Sequence, residues 1–324
     1  MGTDIYLDER CIVSFSISEF GWFLGRWAGH LRYLKHNIYK DDKFILFTDL
    51  DYHPFVEDFI TYTIELPEWF YKTPLDRDCY EAPVIGSPPG SLTPPKVYEK
   101  LIEYMRGFYN YKKAIEIWPP RGCNPFVSFV PQVYRKLKAS KVESDRPIVV
   151  VYPRKRARAA ERNVPEFVWK EVVDALTEDF KVVLVGTPNG SALVGYIGPN
   201  IVNLIDYNEE DKMDKILSYF NSAICSVGSQ SGLTYVSLQT DCPSYIIGHE
   251  KKRHAVDENR FNTPVSFRVV HDYRAIDSQT ILSDIAEMLN VLKQEKEKEI
   301  NTHIKILNES TNTLNSIVEG YNAK

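Results

Sequence analysis

Cysteine is scarce in this 324-residue chain, and metal-ligand spacing is missing from it. The five cysteines (Cys11, Cys79, Cys123, Cys225 and Cys242) are odd in number and scattered. None belongs to a CxxC or Cys/His pair, which argues against a structural zinc site and fits a reducing, cytoplasmic compartment. Cys11 and Cys225 lie in apolar runs and read as small buried hydrophobes. Long apolar stretches are also missing. No run reaches the roughly 18 residues that a membrane span needs, and the most apolar early segment is broken by Glu19 and Arg26. The first residues lack the basic region and apolar stretch of a secretory signal. Excess positive charge is lacking too: the net charge of −5 excludes binding of nucleic acid by the field of the whole molecule. A soluble, cytoplasmic protein is expected.

What is present is ordinary for a globular protein, with 44% apolar and 26% charged residues, and the length allows two domains with large cores. Aromatics make up 13% and gather in the first half. They read first as core and interdomain packing, and second as faces on which a sugar or base stacks.

The pattern predicts strands at 10–17, 43–48, 62–66 and 115–118, a turn over 18–30 leading into a helix that runs to about His36, and helices at 54–61, 96–110 and 131–139. Residues 67–95, rich in proline, read as a long loop of the kind that serves function. The charged stretch 141–146 is the best domain boundary. Beyond it, strands at 147–152, 181–186, 201–205, 223–227 and 244–248 alternate with helices at 165–178, 209–220 and 231–240. That alternation predicts a parallel, doubly wound α/β sheet. Two helices are expected after Asp277, the last of them polar and lying across a surface, and no short internal repeat is read. The expected organisation is a Rossmann-like domain over 1–143, a second Rossmann-like domain over 144–295, and a terminal helix over 296–324 that packs across the domains.

The most informative stretch is Val227-Gly228-Ser229-Gln230-Ser231-Gly232-Leu233-Thr234, where an apolar strand ends in small residues and a helix begins. Free N–H groups at such a helix start suit an anion, a diphosphate in particular. The basic run Arg154, Lys155, Arg156, Arg158 and Arg162 follows another strand at the same sheet edge, where ligands of open α/β sheets bind. Its cations either hold a diphosphate, form a solvated loop, or touch nucleic acid. Gly186 and Thr187 end a further strand and are placed to border a nucleotide base, and His249 at a strand end to contact a sugar. His30 and His36 read as structural. Asp49 and Asp51 form a DxD, the pattern that holds a divalent cation on a nucleotide diphosphate in one glycosyltransferase class.

Three segments of the second half resemble the nucleotide-binding domain of GT-B glycosyltransferases, most of all the family 9, heptosyltransferase-like enzymes. They are Tyr152-Pro153-Arg154-Lys155-Arg156 with Val164-Pro165-Glu166-Phe167, then Lys181 through Pro188, then Gly228 through Pro243. The resemblance spans about residues 147–250. It implies a metal-independent transfer from a nucleotide-diphospho-sugar, with no other cofactor. The diphosphate would be bound by Arg154, Lys155, Arg158, Gly228, Ser229, Gln230, Ser231 and Gly232. The family keeps an acidic residue after its first strand as the base that deprotonates the acceptor. Glu19 matches that position, its other reading being a helix cap or surface carboxylate. Gln230 and Tyr235 stand where the family has Asp and His, so heptose specificity is not implied. Val236 stands where other GT-B families keep a helical glutamate. The acceptor is left open among a glycan, a lipid-linked saccharide and a hydroxylated DNA base as used by viral DNA glycosyltransferases. A sugar-nucleotide epimerase and a non-catalytic binding protein are the readings outside the transferase class.

Overall fold

Residues 6–17, 20–73, 95–118, 131–157, 160–248, 267–270 and 276–322 are described by the structure, a computed structural model. The first sheet comprises β1 (Cys11–Phe15), β2 (Lys43–Thr48), β3 (Tyr62–Glu65) and β4 (Ile115–Glu116), in the order β3-β2-β1-β4. The second comprises β5 (Ile148–Tyr152), β6 (Lys181–Leu184), β7 (Ile201–Asn203), β8 (Cys225–Ser229), β9 (Ser244–Ile247) and β10 (Phe267–Val270), in the order β10-β9-β8-β5-β6-β7. All ladders between these strands are parallel. The runs CIVSF and IVVVY explain why: continuously apolar strands, buried along their whole length, need helices over both faces. Counted from its own first strand, the second sheet has the doubly wound order, whose switch point lies between β5 and β8.

Helix α1 (Phe20–Trp22) passes through a π-helical turn (Phe23–Trp27) into α2 (Ala28–Asn37). The others are α3 (Glu68–Lys72), α4 (Pro95–Met105), α5 (Glu166–Leu176), α6 (Lys212–Ser222), α7 (Gly232–Gln239) and the long α8 (Ser278–Asn322). Among the described residues no helix is long and apolar enough to cross a membrane. Cys11, Cys225 and Cys242 are free and buried, and burial pushes the Cys242 thiol up to about 12.

Five expectations need correction. The helix expected at 54–61 is a 3-10 helix over Leu50–Phe55, because Asp49 caps it early and Pro54 cannot continue a regular ladder. The segment expected as a helix at 131–139 is a strap without regular secondary structure. Its backbone bonds go to other elements: Val133 N–H to Gly29 O at 2.9 Å, and Leu137 N–H to Gln239 O at 2.8 Å. The two terminal helices are one 45-residue helix. Its start packs Ile281, Ile285 and Met288 under the second sheet, whereas residues 293–311, expected to lie across a surface, are exposed. Finally, β10 extends the second sheet beyond what the pattern announced, and α3 sits inside the segment read as loop.

The two sheets share one core. A single apolar cluster contains Ile12, Phe23 and Leu46 of the first half with Val150, Tyr152, Tyr235 and Val236 of the second. Glycines at 21, 25 and 29 make this approach possible. A Cβ at Gly21 would lie 3.1 Å from Gly232 Cα, one at Gly25 2.8 Å from Tyr235 Cζ, and one at Gly29 3.0 Å from Tyr134 Cε1. The strap is fastened on the first-half side by Arg32, which is 2% exposed. Its guanidinium donates to Val133 O at 3.1 Å and to both carboxylate oxygens of Asp58, at 2.9 and 3.1 Å.

Candidate active site

Tyr152 at the end of β5 pairs in register with Gly228 of β8, so the loops that leave these strands emerge side by side at the switch point. Gly228 is obligatory here, since a Cβ would lie 2.0 Å from the Tyr152 ring. Ser229 follows, fully buried, and its hydroxyl has no partner among the described residues. Buried polar groups are almost always satisfied, so an orphan hydroxyl at a strand end marks a place for a ligand oxygen or a water. The Gln230 N–H is spent on Ile247 O at 3.0 Å, which ties the turn to β9. Ser231, in extended conformation, is the N-cap of α7. Its N–H donates to Thr234 Oγ1 at 3.3 Å, and its hydroxyl does not reach hydrogen-bond geometry with the helix. The first N–H groups of α7 have no acceptor within the helix and carry its positive dipole end.

The wall on the first-half side is close. A Cβ on Gly232 would meet Phe20 Cδ1 at 2.8 Å and Gly21 N at 3.0 Å. The start of α1 therefore sits directly on the start of α7.

Arg154 is 7% exposed, and its guanidinium donates to the Asn163 side chain. Asn163 also accepts from Arg156 N–H at 3.1 Å and donates to Arg156 O at 2.8 Å, closing the basic loop on itself. This asparagine was not singled out from sequence, because its role exists only once the loop is closed. The loop is further zipped to the one after β6: Lys155 N–H donates to Gly190 O at 2.9 Å, and Ala192 N–H to Pro153 O at 2.7 Å. Gly186 allows this with φ at +150°, where a Cβ would collide with Ser191 Oγ at 1.9 Å. Thr187 is exposed on the same rim. The Lys155 side chain is 60% exposed, and its ammonium pairs with Glu166 at the start of α5, 2.9 Å away. Lys155 and then Lys170 hold the Glu166 carboxyl below its usual value. Arg154, Lys155, Gly186 and Thr187 thus share one rim of the second sheet, next to the turn at 229–232. Glu19, Arg158 and His249 lie outside the described residues.

The DxD pair is used locally. Asp49 Oδ1 accepts from the Asp51 N–H at 3.1 Å, the bond that starts the 3-10 helix. Burial, then Asp49, raises the Asp51 pKa, and Lys212 of the second half opposes that rise. Among the described residues no group of three or more His, Cys, Asp or Glu side chains could hold a metal ion.

One cation went unassigned in the sequence. Arg26 sits in the π-helical turn, a geometry frequent at functional sites, and among the described residues its buried Nη1 meets no partner in hydrogen-bond geometry. It neighbours Tyr134, whose hydroxyl donates to Gly25 O at 2.7 Å. Burial pushes that phenol far above its usual pKa, and Arg26 pulls it back. The signal available beforehand was a charge interrupting the most apolar early run.

No protein-family model matches this chain, and no curated protein sequence matches it. Solved structures do. The Escherichia coli ADP-heptose lipopolysaccharide heptosyltransferase II is 14% identical with a TM-score of 0.56, over 88% of this chain and 99% of that one. A family 9 glycosyl transferase from Veillonella parvula is 9% identical with a TM-score of 0.56, over 87% and 98%. An E. coli heptosyltransferase with ADP-2-deoxy-2-fluoro heptose is 11% identical with a TM-score of 0.51, over 86% and 99%. The likeness runs nearly end to end and gives the fold: two Rossmann-like α/β halves arranged as in GT-B glycosyltransferases.

Proposed function

We propose that this chain is a glycosyltransferase that moves a sugar from a nucleotide-diphospho-sugar to an acceptor hydroxyl, without a metal ion and with inversion. The observation that carries the reading is the fully buried Ser229 hydroxyl at the end of β8, without a partner among the described residues, at the switch point of a GT-B fold. The diphosphate is seated on residues 229–232 by helix-start N–H groups and serine hydroxyls. Arg154, pre-aimed by Asn163, Lys155 and Arg158 neutralise the charge that the leaving diphosphate gains, which is the work a metal would otherwise do. Lys155 must leave Glu166 for this. An ion pair so exposed is worth only about 0–1 kcal/mol, so the exchange is cheap. Gly186 and Thr187 border the base, and His249 contacts the sugar. Glu19 takes the acceptor proton as its oxygen attacks the anomeric carbon and the bond from that carbon to the diphosphate oxygen breaks. Phe20, the sequence neighbour of Glu19, packs against Gly232 at the start of α7, which supports the reading.

Two similar enzymes carry ADP-linked names, so ADP heads the panel of nucleoside diphosphates to be tested by thermal shift. The matching sugar nucleotides then follow in a diphosphate-release assay with and without chelator. Expected is a raised Tm, about 2.7 kcal/mol of added stability at a hundred times Kd. Release should survive chelator and fall about a hundredfold or more in Glu19→Gln. If no nucleoside diphosphate shifts Tm and none is released, the reading fails. Loss of release in chelator would instead give Asp49 and Asp51 a metal, and binding without release would mark a sugar-nucleotide binder.

A further inference from the structure

Helix α8 outruns the domain it belongs to. Its core contacts end with the partly buried Leu292, and residues 293–311 are exposed. Within that exposed stretch Ile300, Ile304 and Leu307 keep 49%, 49% and 65% of their surface in water. They stand four and three residues apart, on one helix face. The sequence continues the same spacing through Thr311, Leu314, Val318 and Tyr321, all within the helix. A heptad runs visibly through this segment, in which Ile300-Asn301, Leu307-Asn308, Leu314-Asn315 and Tyr321-Asn322 recur every seven residues. The absence of a short repeat expected from the sequence is thereby corrected. A helix this exposed is not held in water by propensity alone, and its apolar seam calls for a partner helix.

We infer that this segment pairs with the same segment of a second copy of the chain, as a parallel two-stranded coiled coil. The residue choice selects that partner. With Ile300, Leu307, Leu314 and Tyr321 at d, the a positions are Ile304, Thr311 and Val318. The β-branched a positions flanked by the leucines Leu307 and Leu314 at d favour two parallel strands over three or four. The flanking e and g positions are Asn301, His303, Asn308, Ser310, Asn315, Ile317 and Asn322, with no Lys, Arg, Asp or Glu among them. Two identical helices therefore meet without like-charge repulsion, whereas a strand built to choose a different partner carries that choice in e and g charges. The charges sit on the outer faces, as in the Lys305–Glu309 pair at 4.0 Å. A Thr311–Thr311 layer in the middle of the seam penalises slipped registers.

The test uses the full chain. Light scattering should give twice the 37.4 kDa chain mass, and Leu307→Asp with Leu314→Asp should weaken dimerisation about a hundredfold or more while leaving the Tm of the α/β body unchanged. Ile304→Cys decides the direction. In a parallel pair this a position meets its own copy, so oxidation should give a crosslinked dimer on a non-reducing gel that the unsubstituted chain lacks. A monomer at about 0.1 mM, where a micromolar dimer is saturated, overturns the inference. So does a dimer that persists undiminished in the double variant, and so does a dimer whose Ile304→Cys form fails to crosslink.

Discussion

Ser229 separates a structural from a ligand role more cleanly than any other residue of the site. Its hydroxyl is buried and has no partner among the described residues, so the free protein carries the desolvation cost of that group, about 1–3 kcal/mol, with no bond from them to offset it. Ser229→Ala should therefore leave the free protein unchanged or up to about 1 kcal/mol more stable, while weakening the bound diphosphate about tenfold. Chemical denaturation and nucleotide thermal shift measure the two halves. A variant that loses stability and keeps its nucleotide shift would assign the hydroxyl to the fold. At this scale the sequence announced residues whose type already states their chemistry: the serines of the turn, the arginines of the loop, the glycines. Asn163 and Arg26 stayed hidden because their importance comes from neighbours brought in by folding. Asn163 closes the basic loop, and Arg26 stands beside Tyr134, 108 positions along the chain.

Among the elements, the contact between the α1–α2 segment and α7 decides most. An alanine in place of a helical glycine normally stabilises by up to about 1 kcal/mol. At Gly25 the sign reverses, because the new methyl group would stand 2.8 Å from the Tyr235 ring. Gly25→Ala should cost about 1–3 kcal/mol in urea titration, and the cost should vanish in a Tyr235→Ala background. A destabilisation that persists in that background would place the strain elsewhere. Strands were the most legible elements. The run at 43–48 was delimited to the residue, since its β-branched and aromatic side chains fill a buried parallel strand. The strap at 131–142 misled because Val133, Leu137 and their neighbours carry a helical spacing while their backbone partners belong to α2 and α7. The unbroken α8 was legible in principle: no glycine or proline stands between Ser278 and Glu319, and only the density of charge around 293–299 suggested an end.

For the molecule as a whole, the shared core is the governing fact. Interfaces between domains usually resemble transient contacts and leave each half its own stability. Here one apolar cluster runs from Ile12 to Val236. The strap is bonded to both halves, with Val142 N–H donating to Ser222 Oγ at 2.7 Å at its far end. Scanning calorimetry should show one unfolding transition spanning both sheets, with a calorimetric enthalpy equal to the van't Hoff value. Two resolved transitions would mean that the seam is held far more loosely than its packing implies. The seam also limits what position 25 accepts. A larger side chain there needs the Tyr235 ring to move aside or a smaller residue at 235, so the two positions on opposite halves of the molecule are coupled through one van der Waals contact.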